Sequence, residues 1–333
     1  MLKNVVVLTS INPPTSAMQF FAGLRKWNVL VIGDLRTPQD WYCPGVQFVS
    51  AAQQQTLPFK IVRVLPWNHY SRKMIGYLIA ARDGASLIAE SDDDNYPEDN
   101  WTFPDMDGCY DQVPKGKDIV NIYSLFSHQT IWPRGFPLSR ITAPESVIDP
   151  SALTTQAARV GIWQGLVDDD PDVDAIYRLT SNKPCLFERR APVVLPRGTF
   201  SPFNSQNTAF RRELLALMYL PALVNFRVTD ILRSYVAQPV LWAAGYRLGF
   251  LSPSVRQVRN AHDLKADFAS EQPLYMDAER ILELVQERIR PEASISDNLY
   301  NVYRHLADEA IVEEAELDIL SAWLDDVAAL IGT

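Results

Sequence analysis

Ser86-Leu87-Ile88-Ala89-Glu90-Ser91-Asp92-Asp93-Asp94-Asn95 is the stretch that decides the fold. A short apolar run that stops at a cluster of Ser, Asp and Asn reads as a strand ending in a turn. Just upstream, Met74, Ile75, Leu78 and Ala81 recur at helical spacing, in a helix that opens near Asn68 and stops at Gly84. The same alternation fills the chain before it, with an apolar run at 5–8, a helical piece at 17–26 and a second run at 29–32. Strand, helix and strand in repetition predict βαβ units and a parallel sheet. The acidic trio then closes the carboxyl end of a parallel strand, which is where open α/β sheets bind ligands.

Beyond the trio, residues 101–202 are rich in proline and aromatics and poor in periodicity, with short strands expected at 118–122 and 191–195. A long irregular stretch inside a compact chain is usually functional. Helices are expected again at 209–219 and 229–244. Amphipathic helices with acidic outer faces follow at 276–287, 297–307 and 314–331, as a C-terminal helical extension. The apolar run 214–226 is shorter than the roughly 20 residues of a membrane-spanning helix and contains Pro221, so it reads as core. Peripheral membrane contact through an interfacial helix stays open, as does oligomerisation through the acidic helices.

The chain has 333 residues with 31 basic and 40 acidic side chains, so 31 − 40 = −9. With 47% hydrophobic and 21% charged residues it can bury enough apolar surface to offset its ordering entropy, which excludes global disorder. The acidic balance excludes broad nucleic-acid binding, which needs a basic field. Cys43, Cys109 and Cys185 are odd in number and scattered, giving neither a disulfide framework nor a zinc knuckle, and a reducing, cytoplasmic setting fits them. The first apolar run is cut short by Asn12, Pro13 and Pro14, so no secretory signal is expected.

Three adjacent aspartates raise one another's pKa unless a cation compensates, and hard oxygen ligands select Mg²⁺ or Mn²⁺. In a strand-end turn Asp92 and Asp94 project to similar sides and Asp93 away, which assigns the first and third as ligands. A solvated acidic turn is the bland alternative. An EF-type calcium loop fails at Pro97 and Phe103, and an aspartyl-nucleophile phosphatase fits poorly at Tyr96. Arg72 and Lys73 fall in a first helical turn, against the dipole, a conflict that an anion such as a diphosphate would remove. Asp230 follows Thr229 at a helix start that also carries Arg233, suited to capping or to general-base work. His262 suits a structural hydrogen bond or a metal ligand, and Asn204, Gln206 and Asn207 suit a turn or a hydroxyl-rich ligand.

Taken together, residues 70–95, Trp132-Pro133-Arg134-Gly135-Phe136-Pro137-Leu138, Gly165 with Pro171-Asp172-Val173-Asp174, Leu195-Pro196-Arg197-Gly198, Pro202-Phe203-Asn204-Ser205-Gln206-Asn207-Thr208 and Asp230-Ile231-Leu232-Arg233-Ser234-Tyr235 resemble the catalytic domain of the STELLO-type glycosyltransferases. The likeness spans about residues 4–290. It extends, more distantly, to the reversibly glycosylated polypeptides, the UDP-arabinopyranose mutases. The resemblance implies a GT-A-like α/β/α sandwich on a mostly parallel mixed sheet. Residues 1–100 would be the nucleotide-sugar-binding half, 101–270 the acceptor and catalytic half, and 271–333 the helical extension. It further implies a metal-dependent glycosyltransferase that takes a UDP-sugar donor and a glycan or glycolipid acceptor. Asp92 and Asp94, with His262, would hold Mn²⁺ or Mg²⁺, and Asp230 would be the base of an inverting reaction. Arg72, Lys73, Arg134, Asn204, Asn207 and Arg233 would bind substrate, with Thr9, Ser10 and Asp34 placed at strand ends for base and ribose. Arg134 matches the arginine of the segment that mutases glycosylate, although Leu138-Ser139-Arg140 follows it at a different spacing. A nucleotide-sugar mutase and a non-catalytic nucleotide-sugar-binding scaffold are the alternatives.

Overall fold

The computed structural model describes residues 3–258 and 263–332. Its strands are β1 (Lys3–Thr9), β2 (Trp27–Ile32), β3 (Val46–Val49), β4 (Ala85–Ser91), β5 (Asn95–Pro97), β6 (Asp107–Gln112), β7 (Thr154–Asp168), β8 (Val193–Val194), β9 (Asn207–Arg211) and β10 (Arg247–Gln257). The α-helices are α1 (Ser16–Ala22), α2 (Ala51–Gln55), α3 (Lys73–Arg82), α4 (Ala175–Thr180), α5 (Thr229–Ala243), α6 (Leu264–Glu287), α7 (Ile295–Asp308) and α8 (Glu316–Ile331). The strands form one ten-stranded sheet in the order β3-β2-β1-β4-β9-β7-β6-β8-β10-β5, with β7 also paired to β10. The first four strands in that order are parallel, as the repeating pattern predicts. Past β4 the sheet turns mixed, because β9 runs antiparallel to both β4 and β7. It is therefore less parallel than expected.

Period-two alternation in β1 sends Val6 and Leu8 to one face, packed with Met18 and Phe21 of α1, and Val5 and Val7 to the other. That second face carries the larger core, shared with α3 and α5 and with Leu274, Leu306 and Trp323 of the last three helices. Gly76 lets α3 lie close against the sheet, since a Cβ there would stand 2.3 Å from Val7 Cγ1. The helix stops where expected, at Gly84 with φ +84. Its start is later: Asn68 is in the left-handed region, and His69 caps a single 3₁₀ turn by accepting from the Ser71 amide before α3 begins at Lys73.

The middle of the chain departs further from the sequence expectation. β6 and the long β7 lie within the stretch read as irregular. From Val160 to Asp168 every residue of β7 is buried, so it shows no polar-apolar alternation to reveal it. At 118–122 there is only an isolated Ile119–Phe200 bridge, and the 191–195 strand shrinks to β8. The helix expected at 209–219 is strand β9 followed by a 3₁₀ helix at Arg212–Met218. The buried residues 207–210 show no periodicity that separates strand from helix, and here neighbours β4 and β7 decided the matter. Of the run 214–226 expected as core, residues 214–222 are buried, whereas Asn225 and Phe226 are exposed.

The C-terminal helices are part of the same core. Trp323 of α8 is fully buried and donates to the Ala216 carbonyl at 3.0 Å. Glu316 accepts the Ala222 and Leu223 amides, both at 2.8 Å, and Asp326 accepts those of Lys60 and Ile61, both at 2.9 Å. α6 begins at Leu264, well ahead of the expected 276, because Asp263 caps it through the Lys265 and Ala266 amides. No described helix is long and apolar enough to cross a membrane.

Candidate functional site

The carboxyl ends of β1, β2 and β4 open into a cleft of about 330 Å³, a size suited to a small ligand. Thr9 and Ser10 enter it from β1, Asp34 from the end of β2, and Asp92, Asp93 and Asp94 from the end of β4. The opposite wall comes from the residues around Tyr70 and from the segment that leads into α5. This is the strand-end location the sequence pattern indicated.

Each aspartate of the trio has its own partner. Lys73, fully buried at the start of α3, sends its ammonium to Asp92 Oδ1 at 3.0 Å and to the Ser91 and Ser205 carbonyls at 3.0 and 3.5 Å. Gln257 Nε2 donates to both oxygens of Asp94, at 3.2 and 3.1 Å. Asp93 also lines the cleft, against the expectation that it faces away, and accepts from Ser10 Oγ at 2.5 Å and Asn12 Nδ2 at 3.2 Å. Burial first, then the Asp92 and Asp93 charges, pushes the Asp94 carboxyl up to about 6 despite Gln257. Burial likewise raises Asp92, with Lys73 opposing. A divalent cation would relieve that crowding, and Mg²⁺ or Mn²⁺ is commonly held by one or two carboxylates with waters and phosphate oxygens completing the shell. The donor set of Asp92 and Asp94 fits such an ion. Among the described residues no three His, Cys, Asp or Glu side chains converge as a complete protein ligand set. His262 lies outside the described residues.

Across the cleft, Asp230 occupies the first turn of α5, where the helix dipole favours an anion. Arg134 Nη2 reaches its Oδ1 and Oδ2 at 3.0 and 3.1 Å, and the Ser205 amide and hydroxyl donate to Oδ2 at 3.1 and 3.2 Å. The Tyr70 hydroxyl accepts the Asp230 amide at 3.0 Å. Burial would raise this carboxyl, but Arg134, Arg233 and the Ser205 amide outweigh it and hold it below the usual range. Among the described residues Oδ1 takes a hydrogen bond from Arg134 alone, which leaves that oxygen with capacity for a substrate hydroxyl.

The expected contacts divide between the cleft wall and the core behind it. Arg134 is in the cleft wall, but its Nε and Nη2 hold Asp172 at 2.7 and 2.9 Å and its Nη1 donates to the Arg227 carbonyl, so it orients Asp230 rather than offering itself to a ligand. Lys73 is buried under the trio and does not line the cleft. Arg72 does line it, at 1% exposure, stacked on Trp67 with its CZ 3.4 Å from the ring centroid and bound to Gln54. Burial draws its pKa down to about 10. Arg233 is also a core residue, paired with Glu90 at 2.7 Å and bound to the Asn204 carbonyl at 2.8 Å. Asn204 braces Asp172 at 2.9 Å, and Asn207 packs over Gly165 and accepts from Trp101 at 3.0 Å. Neither asparagine lines the cleft. Asp34 lines it with both oxygens accepting amides, from Leu35 at 2.7 Å and His69 at 3.2 Å.

His69, Asp172, Phe226, Arg227 and Gln257 also line the cleft and were not singled out as site residues in the sequence. Asp172 stood within a quoted motif, but the others carried no local signal, since only packing brings them to the trio. His69, Tyr70 and Phe226 form an aromatic wall, with the Tyr70 and Phe226 rings 4.6 Å apart.

The family model of the STELLO glycosyltransferases matches residues 227–332. Two Arabidopsis thaliana proteins, named probable glycosyltransferases STELLO1 and STELLO2, are 27% and 26% identical over 98% and 97% of this chain. The chain spans 44% of the length of each, so it corresponds to less than half of those relatives.

Proposed function

The chain is STELLO-like along nearly its whole length, and from that premise we propose that it is a metal-dependent glycosyltransferase of GT-A type that uses a nucleoside-diphosphate sugar, in the first instance a UDP-sugar. The observation that carries this reading is the acidic trio at the end of β4, facing a second, separately held carboxylate, Asp230, across one cleft. Asp92 and Asp94 would hold Mn²⁺ or Mg²⁺, which when bound neutralises charge on the departing diphosphate. Lys73 orients Asp92 and opposes the rise that burial causes in its pKa, and Gln257 does the same for Asp94. Asp230 would accept the proton of the acceptor hydroxyl at Oδ1 while Arg134 and Ser205 fix its direction. Thr9, Ser10 and Asp34 form the end of the cleft suited to the nucleoside. A glycan or glycolipid acceptor and a cytoplasmic setting complete the proposal.

The mutase alternative is less well supported, because a guanidinium buried to 6% exposure and held by Asp172, Asp230 and a carbonyl is poorly placed to carry a sugar. A thermal-shift screen of nucleotide sugars with and without Mn²⁺ tests the proposal. A ligand at a hundred times its dissociation constant adds about 2.7 kcal/mol. Stabilisation should require both sugar nucleotide and metal and vanish in Asp94→Ala. Stabilisation that ignores the metal and survives that substitution would sink the enzyme.

A further inference from the structure

Acidic groups dominate the cleft: Asp34, the trio, Asp172 and Asp230 all line it. A diphosphate entering here needs a cation on the wall opposite the trio, and four arginines line the cleft: Arg72, Arg134, Arg178 and Arg227. Arg72 is stacked on Trp67 and donates to Gln54 and to the Leu65 carbonyl, with its Nη2 buried and unpartnered. Arg134 has a partner on each nitrogen, and Arg178 donates to Asp170 and the Pro171 carbonyl, both at 2.9 Å. Arg134 and Arg178 each keep 7% side-chain exposure. Arg227 differs. It lines the cleft with 15% of its side chain exposed, and its Nε, at 2.8 Å, and Nη2 both donate to one oxygen of Glu271. Among the described residues nothing holds its Nη1.

Glu271 belongs to α6 and is fully buried. Its other oxygen accepts the Ala175 amide at 2.8 Å and the Tyr275 hydroxyl at 2.6 Å, so the carboxylate is fixed from three sides and fixes Arg227 in turn. The Asp267 carboxylate stands 3.9 Å from the same guanidinium. Arg227 also precedes α5, the helix that presents Asp230, and its carbonyl receives Arg134 Nη1. Arg227 therefore joins the cleft beside Asp230, through the segment that leads into α5.

We propose that Arg227 contacts the β-phosphate of the nucleotide donor and that Glu271, on a helix outside the sheet, is its positioning residue. This rests on the nucleotide-diphosphate function above. Charge-assisted hydrogen bonds from guanidinium to phosphate are the strong class, and loss of one weakens binding roughly ten- to hundredfold.

Calorimetry on the full chain with Mn²⁺ tests it, using UDP against UMP, GDP against GMP, ADP against AMP and CDP against CMP. Arg227→Met combined with Glu271→Gln removes the pair without leaving a buried lone charge. That variant should lose most of the preference for diphosphate over monophosphate and keep wild-type affinity for the monophosphate. Glu271→Gln alone leaves the Arg227 charge without its partner, so it should lower the melting temperature more than the double variant does and lose part of the preference, while Arg227→Lys should keep part of it. If the wild type prefers diphosphates and the double variant prefers them equally, Arg227 is not the contact, while the nucleotide-binding function stands. If the wild type binds none of the eight nucleotides, the function and the contact fall together.

Discussion

Asp230 shows most clearly what a single residue can and cannot reveal. At a helix start it reads equally as a cap or a base, and the structure shows that its side chain accepts from Arg134 and Ser205 rather than capping α5. Asp230→Asn keeps the shape and removes the proton acceptor. Transfer measured at saturating donor should fall by about 10²- to 10⁴-fold, with nucleotide binding by calorimetry unchanged. Equal activity in the variant would move the base elsewhere. Asp174, which caps α4 and accepts from Trp132 at 2.6 Å, gives a pH-dependent test of stability. Burial pushes its carboxyl up to about 6 from 3.8. The folded state therefore binds a proton that the unfolded chain has lost between about pH 4 and 6, and this site's contribution to stability falls as pH rises through that window. Asp174→Asn lacks the titration, and Asn is an equally good cap. Its melting temperature relative to wild type should rise from pH 4 to pH 6 and stay level above 7, with a total effect of up to about 3 kcal/mol. A difference that does not change with pH would show that Asp174 stays ionised throughout.

At the scale of elements, β1, β2, β4 and α3 were legible because their hydrophobic patterns are local: alternating or short apolar runs bounded by turn residues, and a helical stripe ended by Gly84. β7 and β9 were not, because strands buried on both faces lose the alternation that would mark them. Packing can also reverse a local preference. Ala is favoured over Gly inside a helix by about 1 kcal/mol. In α3, however, a Cβ on Gly76 would meet Val7 Cγ1 at 2.3 Å and Ile32 Cγ1 at 3.0 Å, so these buried side chains or the helix itself must shift. Gly76→Ala should therefore destabilise the protein by about 1–3 kcal/mol in chemical denaturation. It should also weaken nucleotide binding, because Lys73 and the base of the trio move with α3. A stabilised variant would mean the helix has room that the backbone does not suggest.

For the molecule as a whole, the last three helices look separable in sequence, since their outer faces are charged and their spacing is regular. In three dimensions they close the core over α3 and α5, and α6 reaches the cleft wall through Glu271. Ending the chain at residue 290 would expose the partners of Trp323, Leu320 and Leu306, all fully buried, and leave the Ala222 and Leu223 amides without Glu316. That truncation should give a chain with secondary structure by far-ultraviolet circular dichroism but without near-ultraviolet signal or cooperative melting. A cooperative transition near the full-length value would make the helices a true appendage.

The sequence determined the parallel half of the sheet and the position of the acidic trio, because strand, helix and turn preferences act over a few neighbouring residues and a strand's carboxyl end is fixed by chain direction. Only the tertiary structure decided which buried carboxylate each cation meets. Lys73 beneath Asp92, Arg134 behind Asp230 and Arg227 held by Glu271 look alike as letters. Their roles depend on which buried carboxylate each one meets, and those meetings join residues far apart in the chain.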